Sequence, residues 1–439
     1  VILLRAAIFH TPANPFDFES ALVALPDGAL AIAHGRVAAC GDYAEVRGRF
    51  PEARVRDLRG GYLVPGFIDT HIHFPQVRIL GGLGYSLLDW LERLTLPEES
   101  RMEDEAYAST IAGEFVRHLA AQGTTTALVF GAHFAKAEAA LFAAAERAGL
   151  RTISGLVLAD RLLREELHRT PEAAYAESEA LIRRFGSGAQ ARRGRTGYAV
   201  TPRFALSASE PMLEVCQTLL REHPGLHFTT HINENVREVE EVARLFPWAG
   251  DYLAVYERYG LAGRRSVFAH NVQATGPELR RLAERKASIA HCPCSNAALG
   301  SGIFPMRCHL QARVHFGLGT DVGGGTGFGM LKETLQAYLM QRVAAQPVSL
   351  SPAQMLYMAT RAGAEALAME DETGDFAAGK AADYVYLRPP AGSALEGVLK
   401  ELEDPARVLA AILTLAGAES IWEVRVEGDP VYEALVYDA

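Results

Sequence analysis

The chain has 439 residues, 49% of them apolar and 22% charged, enough for one large domain and a smaller one around a sizeable core. A formal net charge of −10, with no basic stripe along any helical segment, excludes a surface built for nucleic acid. No run of about 18 apolar residues occurs, so no membrane-spanning helix is expected. The opening residues 1–5 are too short an apolar run for a secretory leader. Cys40, Cys216, Cys292, Cys294 and Cys308 are an odd, scattered set with no disulfide framework, which fits a reducing cytoplasm.

Residues 21–25, 28–34, 36–40 and 54–58 are short β-like runs divided by turn residues, and they predict hairpins. From residue 62 the pattern changes to strands alternating with amphipathic helical segments. Strands are predicted at 62–74, 124–130, 151–158, 196–203, 226–232, 266–270, 287–292 and 313–320. Helices are predicted between them at 102–122, 135–149, 171–186, 210–223, 236–246 and 277–285. Eight strands with helical crossovers in roughly 260 residues predict a (β/α)₈ TIM-like barrel. An open doubly wound sheet would carry a phosphate-binding glycine fingerprint after its first strand, and none is present. After helical stretches at 330–342 and 352–369, hairpin texture returns at 374–387, 421–426 and 431–437. The expected organisation is a barrel over 65–372 beside a small β-sandwich domain built from both chain ends, 1–64 and 373–439.

The chemistry gathers at the C-terminal ends of the predicted barrel strands, the face where such barrels build their active sites. His71 and His73 end the first strand at i, i+2, which puts both imidazoles on one face. Arg203 ends the fourth strand, His231 the fifth and His270 the sixth, and Asp321 follows the eighth. Four histidines and a carboxylate on one rim make a candidate zinc site, since Zn²⁺ takes about four N, O or S ligands. Glu234, three residues after His231, stands where the fifth strand turns into a helix and is a candidate general acid/base. The glycines at 323–325 after Asp321 lack a following Gly-Lys-Ser/Thr, which rejects a nucleotide P-loop. His223, His227 and His231 repeat every four residues, but Pro224-Gly225 breaks any helix that would align them. Cys292-Pro293-Cys294 lacks zinc-knuckle spacing and reads as a strand end near the site. The His-x-Glu and Pro-Cys-x-x-Cys motifs of the other zinc deaminase fold are absent.

Pro65-Gly66-Phe67-Ile68-Asp69-Thr70-His71-Ile72-His73, with His231, His270, Asp321 and Gly379-Lys380-Ala381-Ala382-Asp383, resembles the amidohydrolase superfamily over nearly the whole chain. Finer motifs resemble its branch of guanine deaminases: His73-Phe74-Pro75-Gln76, Ser86-Leu87-Leu88-Asp89-Trp90-Leu91, Thr201-Pro202-Arg203-Phe204, His231-Ile232-Asn233-Glu234-Asn235 and Cys292-Pro293-Cys294-Ser295-Asn296. The resemblance implies a cytoplasmic, homodimeric hydrolase that acts on a small purine base, converting guanine to xanthine and ammonia. It implies zinc on His71, His73, His231 and Asp321, with catalytic roles for Asp321 and Glu234 in moving protons and for His270 in orienting the water or touching the metal weakly. Gln76, Arg203 and Phe204 are then the purine contacts. Some barrel hydrolases bridge two metals with a carbamylated lysine late in the fourth strand; no lysine lies between Lys136 and Lys286, so one zinc per chain is expected. Deaminases of 8-oxoguanine or aminotriazines share the metal site and are the alternative. A catalytically dead scaffold of the same fold is the reading from another class.

Overall fold

The computed structural model describes residues 1–186 and 195–434. The first barrel strand, Phe67–His73, is buried at every position, as expected of a strand covered on one face by helices and on the other by the barrel interior. The second and third are Thr124–Phe130 and Arg151–Gly155, the third continuing as Val157–Leu158. The fourth to eighth are Thr196–Pro202, His227–Ile232, Ser266–His270, Ser288–His291 and His315–Leu318. Neighbours in sequence pair in parallel throughout this series.

Helices return the chain between strands, and their starts are written in the sequence. Ser209 caps Glu210–Glu222, and Asn235 and Thr275 form capping boxes with Glu238 and Glu278 at the starts of Val236–Leu245 and Gly276–Arg285. Closure between the first and eighth strands runs through Thr70 Oγ1 to the Leu318 carbonyl (2.8 Å), Asp321 N to the His71 carbonyl (2.9 Å) and His73 N to the Val322 carbonyl (3.1 Å). The barrel expected from the sequence is therefore present, and its strand ends converge on one rim.

Both chain ends contribute to a second, seven-stranded sheet. Its strands Ile2–His10, Val23–Ala33 and Arg36–Asp42 pair antiparallel in turn, as do Tyr384–Leu387, Ile421–Val426 and Asp429–Glu433. Arg54–Pro65 joins the two groups, parallel to the first and antiparallel to Tyr384–Leu387. The last strand was expected at 431–437, a span that runs in part outside the described residues.

Several elements differ from expectation. The predicted strand at 62–74 is two strands, Arg54–Pro65 in the terminal sheet and Phe67–His73 in the barrel. The break is at Gly66, whose N–H donates to the Asp383 carbonyl, and where an added Cβ would lie 2.1 Å from Thr125 Oγ1. An uninterrupted apolar run hides a change of sheet of this kind. The strand Ile2–His10 and the helices Tyr43–Arg49, Ala394–Leu399 and Pro405–Leu415 were not anticipated. Pro405–Leu415 buries Leu409, Ile412 and Leu413 in the main core. Among the described residues no helix is long and apolar enough to cross a membrane.

Asp383, in the Gly-Lys-Ala-Ala-Asp motif, fastens the two sheets together. Its carboxylate accepts from Arg151 Nη1 at 2.5 Å, Thr373 Oγ1 at 2.8 Å and Glu427 N at 2.8 Å. The Arg151 and Asp383 side chains are only 4% and 1% exposed, so removing the carboxylate leaves a buried guanidinium with only the longer contacts to Thr126 Oγ1 at 3.3 Å and Glu427 Oε1 at 3.4 Å. Asp383→Ala should therefore cost about 3–5 kcal/mol of stability, read as a lower denaturation midpoint. A loss below about 0.5 kcal/mol, the range of an ordinary surface substitution, would refute this role.

Candidate metal centre and active site

His71 and His73 come from the first strand, His231 from the fifth, and Asp321 from the turn after the eighth. All four are buried, and one donor atom of each lies within 4.8 Å of the others. His73 Nε2 is 3.1 Å from His71 Nε2 and 3.3 Å from His231 Nε2. Asp321 Oδ1 is 3.3 Å from His71 Nε2 and 3.2 Å from His73 Nε2. A tetrahedral zinc site with bonds of about 2.0–2.2 Å separates its donors by about 3.3–3.6 Å, so these four separations are close to those of a metal site.

The protonation states fit as well. Burial pushes His71 down, His73 down to about 4, and His231 well down, the last helped by its neighbouring imidazoles. Burial opposes the charge on Asp321, but the facing His71 and His73 outweigh it and hold the carboxyl well below the usual range. Neutral imidazoles and an ionised carboxylate are the forms in which these groups bind a metal. His231 Nδ1 donates to the Arg203 carbonyl at 2.6 Å, which fixes the tautomer and leaves Nε2 as the ligand atom. Phe130 packs against His71, His73 and His231 with ring centroids 5.4, 4.7 and 4.6 Å away, limiting their rotation.

His270 stands beside this group. Its Nδ1 donates to Asn296 Oδ1 at 2.9 Å, turning Nε2 towards Glu234 Oε2 at 3.5 Å and Asp321 Oδ2 at 3.8 Å. Ser295 Oγ donates to Asp321 Oδ2 at 2.5 Å, and Ser301 Oγ to Glu234 Oε1 at 3.1 Å. Burial, with the nearby Asp321 charge, pushes the Glu234 carboxyl up to about 8. Glu234 can thus carry a proton at neutral pH, as a general acid requires.

A cavity over these residues is lined by Gln76, Arg203, Phe204, Glu234 and His270 and roofed by Leu87, Trp90, Leu91 and Leu299. It is continuous in its lining with an outer cavity of about 640 Å³, since Leu91, Arg203 and Phe204 belong to both. All the site residues expected from sequence therefore meet in one place. Gln76 donates from Nε2 to Glu99 Oε1 at 2.9 Å and accepts from Gly323 N at 3.1 Å. An added Cβ at Gly323 would lie 2.6 Å from the Gln76 carbonyl, so this glycine permits a close backbone approach. The rejected histidines also fall as expected: His223 pairs with Glu179 and His227 Nε2 with the Leu367 carbonyl, both away from the centre.

Sequence reasoning missed Glu99 and His133 and assigned no role to Ser295, Asn296 or Ser301. Glu99 gave no signal, because Pro97-Glu98-Glu99-Ser100 reads as an ordinary exposed helix turn. His133 did give one, as it stands three residues beyond the second strand on the same rim.

The amidohydrolase family pattern matches residues 62–430, and a bacterial imidazolonepropionase-like composite domain matches 28–53. A probable guanine deaminase of Deinococcus radiodurans is 56% identical over 436 residues, covering 98% of each chain. The guanine deaminase of Escherichia coli is 40% identical over 427 residues, covering 97% of this chain and 96% of its own. The solved structure of an E. coli guanine deaminase superposes with a TM-score of 0.92 at 38% identity over 99% of both chains. With its barrel, its rim of buried ligands and these matches, the chain belongs to the amidohydrolase family.

Proposed function

We propose that the site performs hydrolytic deamination of guanine, giving xanthine and ammonia, with one zinc ion per chain on His71, His73, His231 and Asp321. The observation that carries the metal chemistry is the convergence of three imidazoles and one carboxylate, with donor atoms within 4.8 Å of one another, beside a cavity lined by the remaining site residues. The relatives named above support the substrate. When bound, the metal supplies Lewis-acid activation of a water, lowering its pKa to about 7.

The chain's own groups perform the rest. Asp321 Oδ2, held by Ser295, accepts the proton that the attacking water gives up, and His270 Nε2 orients that water between Asp321 and Glu234. Glu234 donates its proton to N3 of the purine, the free ring nitrogen beside C2, because N1 already carries one. C2 becomes electrophilic and the C2–O bond forms; Asp321 then passes the water's proton to the amine, the C2–N bond breaks to release ammonia, and the C2 hydroxyl returns its proton to Glu234 as the C2 carbonyl forms. Arg203 donates to the 6-carbonyl, Gln76 meets the ring edge, and Phe204, whose centroid lies 6.1 Å from that of His231, packs on the base. A site that hydrogen-bonds a carbonyl rejects analogues lacking it by up to about 10⁴-fold, so adenine should be a poor substrate. A cytoplasmic homodimer completes the proposal: all five cysteines are unpaired, and the dimer rests on the family resemblance.

Ammonia release from guanine, 8-oxoguanine, adenine and ammeline tests the assignment. Guanine should be turned over best, and a preference for ammeline or 8-oxoguanine would replace it with the alternative. Glu234→Gln should retain its metal but lose at least ~10²-fold in kcat, as expected when a proton donor is removed. Near-normal turnover in that variant would remove Glu234 from the mechanism. Chelation should abolish activity and zinc should restore it. A metal-free protein that stays inactive after zinc is added would leave the scaffold reading.

A further inference from the structure

Both side chains assigned to read the purine's polar edge are held by one carboxylate outside the purine contacts. Glu99 Oε2 accepts from Arg203 Nη1 at 2.5 Å, and Glu99 Oε1 accepts from Gln76 Nε2 at 2.9 Å. His133 Nε2 lies 3.2 Å from the same Glu99 Oε2 and 3.5 Å from Arg203 Nη1. Glu99 is 3% exposed, Arg203 3% and Gln76 1%, so no solvent competes for these bonds. Burial opposes a charge on Glu99, but Arg203, with hydrogen bonds from His133 and Gln76, outweighs it and keeps the carboxyl well below the usual range.

The position of Glu99 in the chain adds to this. It lies on the helix Leu96–Ser100, which follows without a break from Leu87–Trp90 and Leu91–Thr95. Those turns carry Leu87, Trp90 and Leu91, which roof the cavity. One residue thus ties the roof to the two groups beneath it. Arginine has five N–H donors on a planar fork, and fixing one of them on Glu99 sets the direction of the remainder.

We infer that Glu99 is a positioning residue for substrate selection: by gripping Arg203 and Gln76 together it aims them at a 6-oxo purine and so sets the preference for a ring carbonyl. This inference rests on the reading of Arg203 and Gln76 as purine contacts. A counter-ion that only neutralised Arg203 would need the charge but not its placement, which Glu99→Asp separates by keeping the charge and withdrawing it by one methylene.

The test is equilibrium binding of hypoxanthine, which keeps the 6-carbonyl, and of unsubstituted purine, which lacks it, to the metal-loaded full chain. In the wild type hypoxanthine should bind more tightly. In Glu99→Asp, with metal content unchanged, the affinity gap should shrink by at least ~10-fold, because a displacement of about 1 Å at a positioning group costs up to about 10²-fold. A folded variant that keeps the wild-type gap, or in which both ligands weaken by the same factor, overturns the inference. A wild type that does not prefer hypoxanthine would instead overturn the purine-contact reading itself. Should Glu99→Asp fail to fold, the charge-balanced pair Glu99→Gln with Arg203→Gln decides. It should lose less hypoxanthine affinity than the two single variants' losses combined, and fully additive losses would contradict the inference.

Discussion

The first and eighth barrel strands meet through backbone and buried side-chain hydrogen bonds, and the placing of His71 and His73 beside Asp321 depends on that seam. Asp69 accepts from Thr320 N at 3.1 Å and Thr320 Oγ1 at 2.5 Å while also accepting from His71 N at 3.1 Å. With Asp321 N on the His71 carbonyl, these bonds hold Asp321 beside two histidines some 250 residues earlier in the chain. A buried ring of donors cannot be left to long flexible side chains; short ones on a hydrogen-bonded frame do it with little conformational entropy to lose. A bound metal would add its own attraction to a frame already set.

That frame is costly, and the cost lies at the rim. Asn233, His270, Asn271 and Asp321 all have left-handed backbone, with φ of 50, 73, 50 and 49°. Such residues cost of order 1–3 kcal/mol each unless their surroundings hold them. Here Asn271 N donates to the Ile232 carbonyl, Gln273 N to the Asn233 carbonyl, and Asn233 Nδ2 to both Asn271 Oδ1 and Glu278. The strain falls at strand ends that carry His231 and His270, where the chain must turn sharply while presenting an imidazole inward. Asn and Asp tolerate this backbone better than most, so their clustering beside the histidines is itself a trace of the geometry.

Much of the barrel and of the four-residue group that could hold a metal was legible because both depend on local pattern. A strand that ends in His-x-His, or in Thr-His-Ile-Asn-Glu, announces the face and the end on which its side chains gather. The terminal sheet was less legible: Gly66 redirects an unbroken apolar run between two sheets, and Ile2–His10 owes its place to pairing with residues far along the chain. Glu99 was invisible for a related reason. Its meaning comes from Arg203 and Gln76, 104 and 23 residues away, and nothing in Pro97-Glu98-Glu99-Ser100 separates a buried anchor from a solvated turn. Ser295 and Asn296 lay in a motif whose resemblance was plain, but only the folded chain joins them to Asp321 and His270.

The claim on which the account rests is that barrel closure builds a single four-donor centre from nitrogen and oxygen alone. X-ray absorption at the zinc edge of the metal-loaded protein tests it most directly. One zinc per chain with light-atom neighbours at about 2.0–2.2 Å, three of them imidazoles, and loss of that signal in Asp321→Ala, is the predicted result. A sulfur neighbour at about 2.3 Å, which would bring Cys292 or Cys294 into the centre, or a second metal scatterer would contradict it.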